Sequence, residues 1–408
     1  MNDVASARVT KADVVARRPS AKITTKASNA LRWRMMARVA VRMMLHDKLK
    51  MLGTLAGVVF AVLLATQQAG TFLGLLYKNV MLVDNSGADI WIIPPSTYQF
   101  IGGTKPIPES TLMYASVTPG VAWAQPLVYG AGSVTLPDGG SEGVTIVGTK
   151  APVYAGGPWN LVVGDVHALE RPNTMIFEHG ERNKLGGLNL GSVREVNGTR
   201  VQAGGFTWGL LPFGASFSFA EYELARRLVG LAPGEVSFVL VGVEPGEDPK
   251  QVRARLAERL PDVEVHTNAE YDRLIVENLL VRTPIGLTFG TSAMFGLLIG
   301  FVIVALAMFS SVIDNIREFG TLKAIGATTK DLAKLLAVQA VSYAVLGSLI
   351  GLALVTRVAE AIRSPRLAIL IPRELMLIMM VLMCLMCVMA SGLALLRVRK
   401  VEPGMVFR

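Results

Sequence analysis

The run MLGTLAGVVFAVLLATQQAGTFLGLLY, Met51 to Tyr77, contains no Asp, Glu, Lys, Arg or His. A helix needs about 20 predominantly apolar residues to cross a bilayer, so this stretch spans with length left for tilt. It is not a cleavable leader, because 50 polar or amphipathic residues precede it and the apolar run is too long. Three more charge-free runs follow, at Thr283–Ile313, Leu335–Thr356 and Leu375–Leu396. The chain is therefore expected to cross a membrane four times. Its composition agrees: 51% hydrophobic and only 17% charged, where soluble domains carry about a quarter charged residues. A disordered scaffold is excluded.

Orientation follows from Lys and Arg near the ends of the spans. Arg32, Arg34, Arg38, Arg42, Lys48 and Lys50 stand just before the first, and in the twenty residues after it only Lys78 is basic. This places both termini in the cytoplasm, with Arg397, Arg399 and Lys400 after the last span. Residues 1–50 carry +9, equal to the net charge of the whole chain, while 78–282 carry −6. The basic excess is thus a signature of the cytoplasmic leaflet, and nucleic acid is not an expected partner.

The expected order is a disordered tail at 1–26, an amphipathic cytoplasmic helix at 27–50, and the first span at 51–77. An extracytoplasmic domain fills 78–282, followed by the second span at 283–313. A short cytoplasmic helix and loop occupy 314–334, and the third span 335–356. A short outer loop at 357–374, the fourth span at 375–396 and a cytoplasmic tail at 397–408 complete it. The large insert is turn-rich, with strand-like runs at Ala88–Ile93, Val121–Val128, Gly143–Gly148 and Val236–Val243. Helical patterns lie at Phe219–Leu228, Pro249–Leu260 and Ala269–Val281, the last leading straight into the second span. The fold class is an α-helical membrane protein with a mixed α/β domain between its first two spans.

The spans lack ionisable groups; only Gln67, Gln68 and Gln339 are notably polar. Proton relays and ion-coupled carriers need intramembrane charge, so those classes are excluded. Glycines recur one turn apart at Gly53/Gly57, Gly70/Gly74, Gly286/Gly290, Gly296/Gly300 and Gly347/Gly351. Such pairs allow close helix approach, either within one chain or at a homodimer seam using Gly53 and Gly57 or Gly296 and Gly300. Cys384 and Cys387 form a CxxC, but they lie mid-span among methionines, where packing is the better reading. His46, His167, His179 and His266 show no ligand spacing, and no metal site is expected. Asn197-Gly198-Thr199 is formally a glycosylation sequon and carries little weight.

Between the second and third spans the chain reads DNIREFGTLKAIGATTKD, Asp314 to Asp331. Apolar residues recur at Ile316, Phe319, Leu322 and Ile325, with Arg317, Glu318 and Lys323 off that line. Gly326 breaks the helix, and Thr328 with Asp331 has the form of a capping box opening the third span. A short amphipathic helix at the cytoplasmic surface is expected. It could lie in the lipid headgroups or meet a partner.

The segment REFGTLKAIGAT, Arg317–Thr328, resembles the signature of FtsX/MacB-type permeases of ABC transporters. HDKLKMLGTLAGVVFAV at His46–Val62, ADIWIIPP at Ala88–Pro95 and the ending RKVEPGMVFR are similar to the DevC-type exporter branch. The resemblance runs from about Asn29 to Arg408. It implies a MacB-like periplasmic domain, an inner-membrane location and a homodimer. It also implies a separate ABC ATPase subunit and a periplasmic membrane-fusion protein. By the same resemblance Ile316, Arg317, Glu318, Phe319, Gly320, Thr321 and Lys323 dock on the ATPase, with Phe319 as the apolar anchor. No GxxxxGK[ST] loop occurs in the chain, so ATP is expected on the partner and no cofactor or catalytic residue here. The expected role is a non-enzymatic permease that passes ATP-driven closure to the outer domain, which expels or hands over a lipid-like or other amphiphilic substrate. The alternative is an FtsX-like signalling subunit that activates a cell-wall hydrolase.

Overall fold

The computed structural model describes residues 38–45, 48–98, 105–212, 214–314, 316–362 and 369–399. The expected tail at 1–26, residues 27–37, the middle of the 357–374 loop and the chain end from 400 lie outside the described residues. After a short helical stretch at 38–45, the long helices are α1 (Lys48–Asp84), α6 (Pro284–Asp314), α8 (Thr329–Ala361) and α9 (Arg373–Arg399). Each contains a stretch long and apolar enough to cross a membrane. Between α6 and α8 lies the short helix α7 (Ile316–Ala324).

Between α1 and α6 the chain forms an α/β domain. Its strands are β1 (Ile90–Ile93), β2 (Ile107–Pro108), β3 (Val121–Thr135), β4 (Ser141–Thr149), β5 (Leu161–Val163) and β6 (Thr174–Glu178). There follow β7 (Val193–Val196), β8 (Thr199–Thr207), β9 (Ser216–Glu221), β10 (Glu235–Val236), β11 (Phe238–Val243) and β12 (Glu264–Thr267). Its helices are α2 (Ser110–Ser116), α3 (Tyr222–Val229), α4 (Pro249–Arg259) and α5 (Asn268–Glu277). One sheet runs in the order β12-β1-β11-β3-β4-β9-β6-β8-β5, with β7 beside β3 and β8. Pairing is antiparallel except at β4–β9 and β6–β8.

Period-two alternation divides the core between the sheet's faces. Ile90 and Ile92 join a cluster with Phe177, Leu224, Leu228, Val252 and Leu256, under α3 and α4. Trp91 and Ile93 face the other way, into a cluster with Phe217, Phe219, Phe238 and Tyr271. That second cluster also contains Val80, Met81, Leu82 and Val83, the last turns of α1. At 1.5 Å per residue, the 37-residue α1 is about 55 Å long, well beyond a hydrocarbon core of about 30 Å. Its surplus length is used as core of the domain.

Two expectations are corrected here. The helix expected over Phe219–Leu228 is strand as far as Glu221. Ser216–Phe219 alternates at period two, and the Glu221 carboxylate then caps α3 by accepting from the Glu223 and Leu224 N–H groups. The helix expected over Ala269–Val281 does not run straight into the second span. It opens on a capping box at Thr267 and Glu270, loosens into a π-turn over Asn278–Arg282, and breaks at the extended residue Thr283.

The molecule divides into two compact units. The first comprises Met1–Val59, Phe301–Ser348 and Val381–Arg408; the second comprises Phe60–Gly300 and Leu349–Met380. In the first, a side chain at Gly57 would run into Ile303, and one at Gly347 into Val58. In the second, a side chain at Gly300 would meet Ala61, and one at Gly70 the carbonyl of Leu370. Gly53 and Gly296 have open space where a Cβ would stand. Of the four glycines expected at a dimer seam, Gly57 and Gly300 are therefore engaged inside the chain.

Candidate coupling site

The short helix α7 is fixed at its C-terminal end by backbone geometry. Gly326 adopts φ +101°, a left-handed conformation that suits glycine. The Ala327 N–H donates to the Leu322 carbonyl at 2.9 Å, and the Gly326 N–H to that of Lys323 at 3.0 Å. This pair of bonds is a Schellman ending. Immediately afterwards Thr328 and Asp331 start α8. The Thr328 N–H and Oγ1 donate to Asp331 Oδ2 at 3.1 and 2.7 Å, and the Asp331 N–H donates to Thr328 Oγ1 at 3.3 Å. The two punctuation marks read from sequence thus set where α7 ends and where the next long helix begins.

The side chains of α7 divide unequally. Phe319 is only 1% exposed and Gly320 is buried, so that edge is held against the chain itself. Ile316, Leu322 and Lys323 are half-buried. Arg317, Glu318 and Thr321 are exposed, and Thr321 Oγ1 donates back to the Arg317 carbonyl at 2.9 Å. Ile325 is 79% exposed. Phe319, expected as the apolar anchor offered outward, is instead the residue that seats the helix. The exposed apolar group is Ile325, just past the end of the helix and about two turns from the charged pair. Periodicity put both on one line; burial separates them.

Two junctions in the second unit were not foreseen. Glu178, fully buried at the end of β6, accepts from Thr207 Oγ1 and from the N–H groups of Gly180, Gly209 and Leu210, at 2.9 to 3.2 Å. Its charge acts on Lys78, itself only 6% exposed near the end of α1. In the sequence Lys78 is the lone cation just after the first span, and that is the one signal of this junction. On α5, Asp272 shares a hydrogen bond with Asp84, the last residue of α1. Burial, that bond and the neighbouring Asp84 charge together push the Asp272 carboxyl up to about 7. Glu178 therefore lies where it can hold the end of α1 to β6 and Asp272 where it can hold it to α5.

The described residues contain no cluster of three or more His, Cys, Asp or Glu side chains that could hold a metal, and Cys384 and Cys387 are free thiols. The Asn197 side chain is taken up by the fold: it accepts from the Ser133 N–H and donates to the Leu228 carbonyl, both at 2.8 Å.

Four apolar helices, a large α/β insert after the first and a capped helix between the second and third are the features of a multi-pass membrane protein. Residues 290–403 match the family described as FtsX-like permease C-terminal. The chain is 24% identical over 335 residues to two uncharacterized ABC transporter permeases of Mycobacterium tuberculosis. These are MT0078 of strain CDC 1551 / Oshkosh and Rv0072 of strain ATCC 25618 / H37Rv, and the match covers 80% of this chain and 86% of each relative. Residues 290–403 are thus similar to the C-terminal part of FtsX-like permeases, and most of the chain is similar to ABC transporter permeases. Among solved structures, the extracellular domain of the noncanonic ABC-type transporter YknZ from Gram-positive bacteria is similar over 44% of this chain and 98% of its own, at 16% identity and TM-score 0.33. The periplasmic region of MacB from Actinobacillus actinomycetemcomitans is similar over 48% and 98%, at 11% identity and TM-score 0.34.

Proposed function

We propose that the chain is the permease subunit of an ABC exporter of the DevC-type branch, working as a homodimer with a separate ATPase and a periplasmic membrane-fusion protein. Homology to ABC permeases implies the ATPase partner; the other partners are part of the proposal. ATP binds the partner, and this chain carries no cofactor. The observation that supports the reading most is α7: a short helix seated by Phe319, ended at Gly326, with Arg317, Glu318, Thr321 and Ile325 exposed. On this reading α7 faces the cytoplasm and the ATPase, and the α/β domain lies on the opposite side of the inner membrane.

Closure of the two copies is passed along α1, whose end is part of the domain core. The domain then expels or hands over a lipid-like or other amphiphilic substrate. Nothing in this needs a charged path through the spans, which suits their composition.

The test is isolation of the chain with its bound partners, followed by reconstitution. An ATPase that copurifies, together with ATP-dependent release of an amphiphile, supports the exporter. An ATPase whose turnover instead activates a cell-wall hydrolase supports the signalling alternative. Isolation with no ATPase contradicts both.

A further inference from the structure

The start of α6 carries a cavity that no part of the coupling scheme uses. It has a volume of about 610 Å³ and lies along one stretch of chain, from Leu280 to Met294. That volume is within the usual range of small-molecule pockets, roughly 300–1,000 Å³. Its making can be followed residue by residue. The π-turn at Asn278–Arg282 and the break at Thr283 lift the chain off the helical path. Thr283 Oγ1 donates to the Leu279 carbonyl at 2.7 Å and steadies the break. Gly286 lets the Leu280 backbone lie directly against the first turn of α6, since any Cβ there would collide with it. Gly290, one turn on, faces open space. The result is a groove walled by Val281, Leu287 and Met294, which are 76%, 71% and 57% exposed.

Charge and depth say what fits. From Pro284 to Met294 the lining follows α6 for about 15 Å at 1.5 Å per residue, half of a hydrocarbon core about 30 Å thick. The groove thus runs one leaflet deep, from the level where the apolar span begins. At its mouth stands Arg282, whose guanidinium lies 5.2 Å from the centre of the Tyr98 ring. That contact holds the cation at the end of the groove that precedes the apolar span. Among the lining residues Arg282 is the sole charged one. An apolar slot one leaflet deep, with a cation at its head, matches a lipid with an anionic headgroup.

We propose that this groove is a lateral binding site for an anionic phospholipid from the leaflet on the α/β domain's side. The headgroup phosphate pairs with Arg282, and an acyl chain lies over Gly290 between Leu287 and Met294. The site does not depend on the exporter reading, since it requires only that α6 crosses the membrane.

The full chain in phosphatidylcholine vesicles, with a trace of phosphatidylglycerol bearing a photoactivatable acyl chain, tests it. Labelling is expected within 280–294, displaced by unlabelled phosphatidylglycerol and not by added phosphatidylcholine. Arg282→Gln is expected to lower labelling at least about fivefold, in keeping with the loss of one charge-assisted contact. Gly290→Phe, at a position open to space, is expected to abolish it while membrane insertion and thermal stability stay unchanged. Equal displacement by both lipids, or undiminished labelling in Arg282→Gln, overturns the proposal. So does efficient disulfide formation between two copies carrying Leu287→Cys, because the groove is then a seam between chains.

Discussion

Charge is used in opposite ways by the α/β domain and by α7. In the domain, Glu178 is fully buried and takes hydrogen bonds from three backbone N–H groups and a hydroxyl. Every one of those donors is spent on holding the fold together. On α7, Arg317 and Glu318 are exposed, as is Ile325 just past its end, and the buried residue is the aromatic. Buried charge with a full set of partners is architecture; exposed charge together with an exposed aliphatic group is a surface ready for a partner. On the proposed reading the larger region supplies stiffness, and the nine-residue helix supplies the contact.

The contrast is broken most directly at Glu178. Glu178→Ala leaves four donors and the nearby Lys78 charge without that carboxylate, and is expected to destabilise the domain by at least about 3 kcal/mol. A thermal unfolding scan of the full chain in detergent measures it. Changing Arg317 or Glu318 to Ala should move stability by no more than about 0.5 kcal/mol. A large loss at either α7 position would mean that its charge is structural too.

Next in size are the glycines. Gly57→Leu forces a side chain into Ile303 and is expected to cost about 1–3 kcal/mol, as overpacking usually does. Gly53→Leu points into open space and should be near neutral for the fold of one chain. Should crosslinking between copies fall in Gly53→Leu with stability unchanged, Gly53 is at a seam. Equal destabilisation by the two would contradict the packing described.

A smaller and graded effect is expected from pH at the α1–α5 junction. Asp272, held near 7, keeps its proton in the folded protein at pH values where an ordinary carboxylic acid has lost it. The stability from that proton is complete below about pH 4 and is lost as pH rises through 7. The protection factor against hydrogen exchange in Asn268–Glu277, corrected for the base-catalysed intrinsic rate, should therefore fall between about pH 4.5 and 7.5, and Asp272→Asn should flatten the dependence. A flat profile in the unaltered chain would show that the pair does not share a proton.

How much could be read from sequence follows the same division. The spans were legible because lipid demands a long run without charge, a local property. Gly326, Thr328 and Asp331 were legible because helix ends are also local. The sheet was not, since its order joins β4 to β9 and β1 to β12 across long stretches of chain. Phe219 was read as helical because its strand alternation is short and ends at a cap. Phe319 was misplaced for a related reason: periodicity finds an apolar line, but only packing tells which end of that line is covered. Lys78 and Asp84 looked like ordinary residues past the end of a span, and their partners lie about a hundred and nearly two hundred residues away.

The central claim is that α7 couples this chain to an ATPase through its exposed end. It is tested most directly by ATP hydrolysis of the copurified partner with the double substitution Glu318→Arg and Ile325→Asp. Both positions are exposed, so insertion and unfolding temperature should stay as in the unaltered chain. An exposed anchor at an interface commonly accounts for about 2 kcal/mol or more, so stimulated hydrolysis should fall to the basal rate of the ATPase alone. Full stimulation and undiminished copurification in the double variant would contradict the claim.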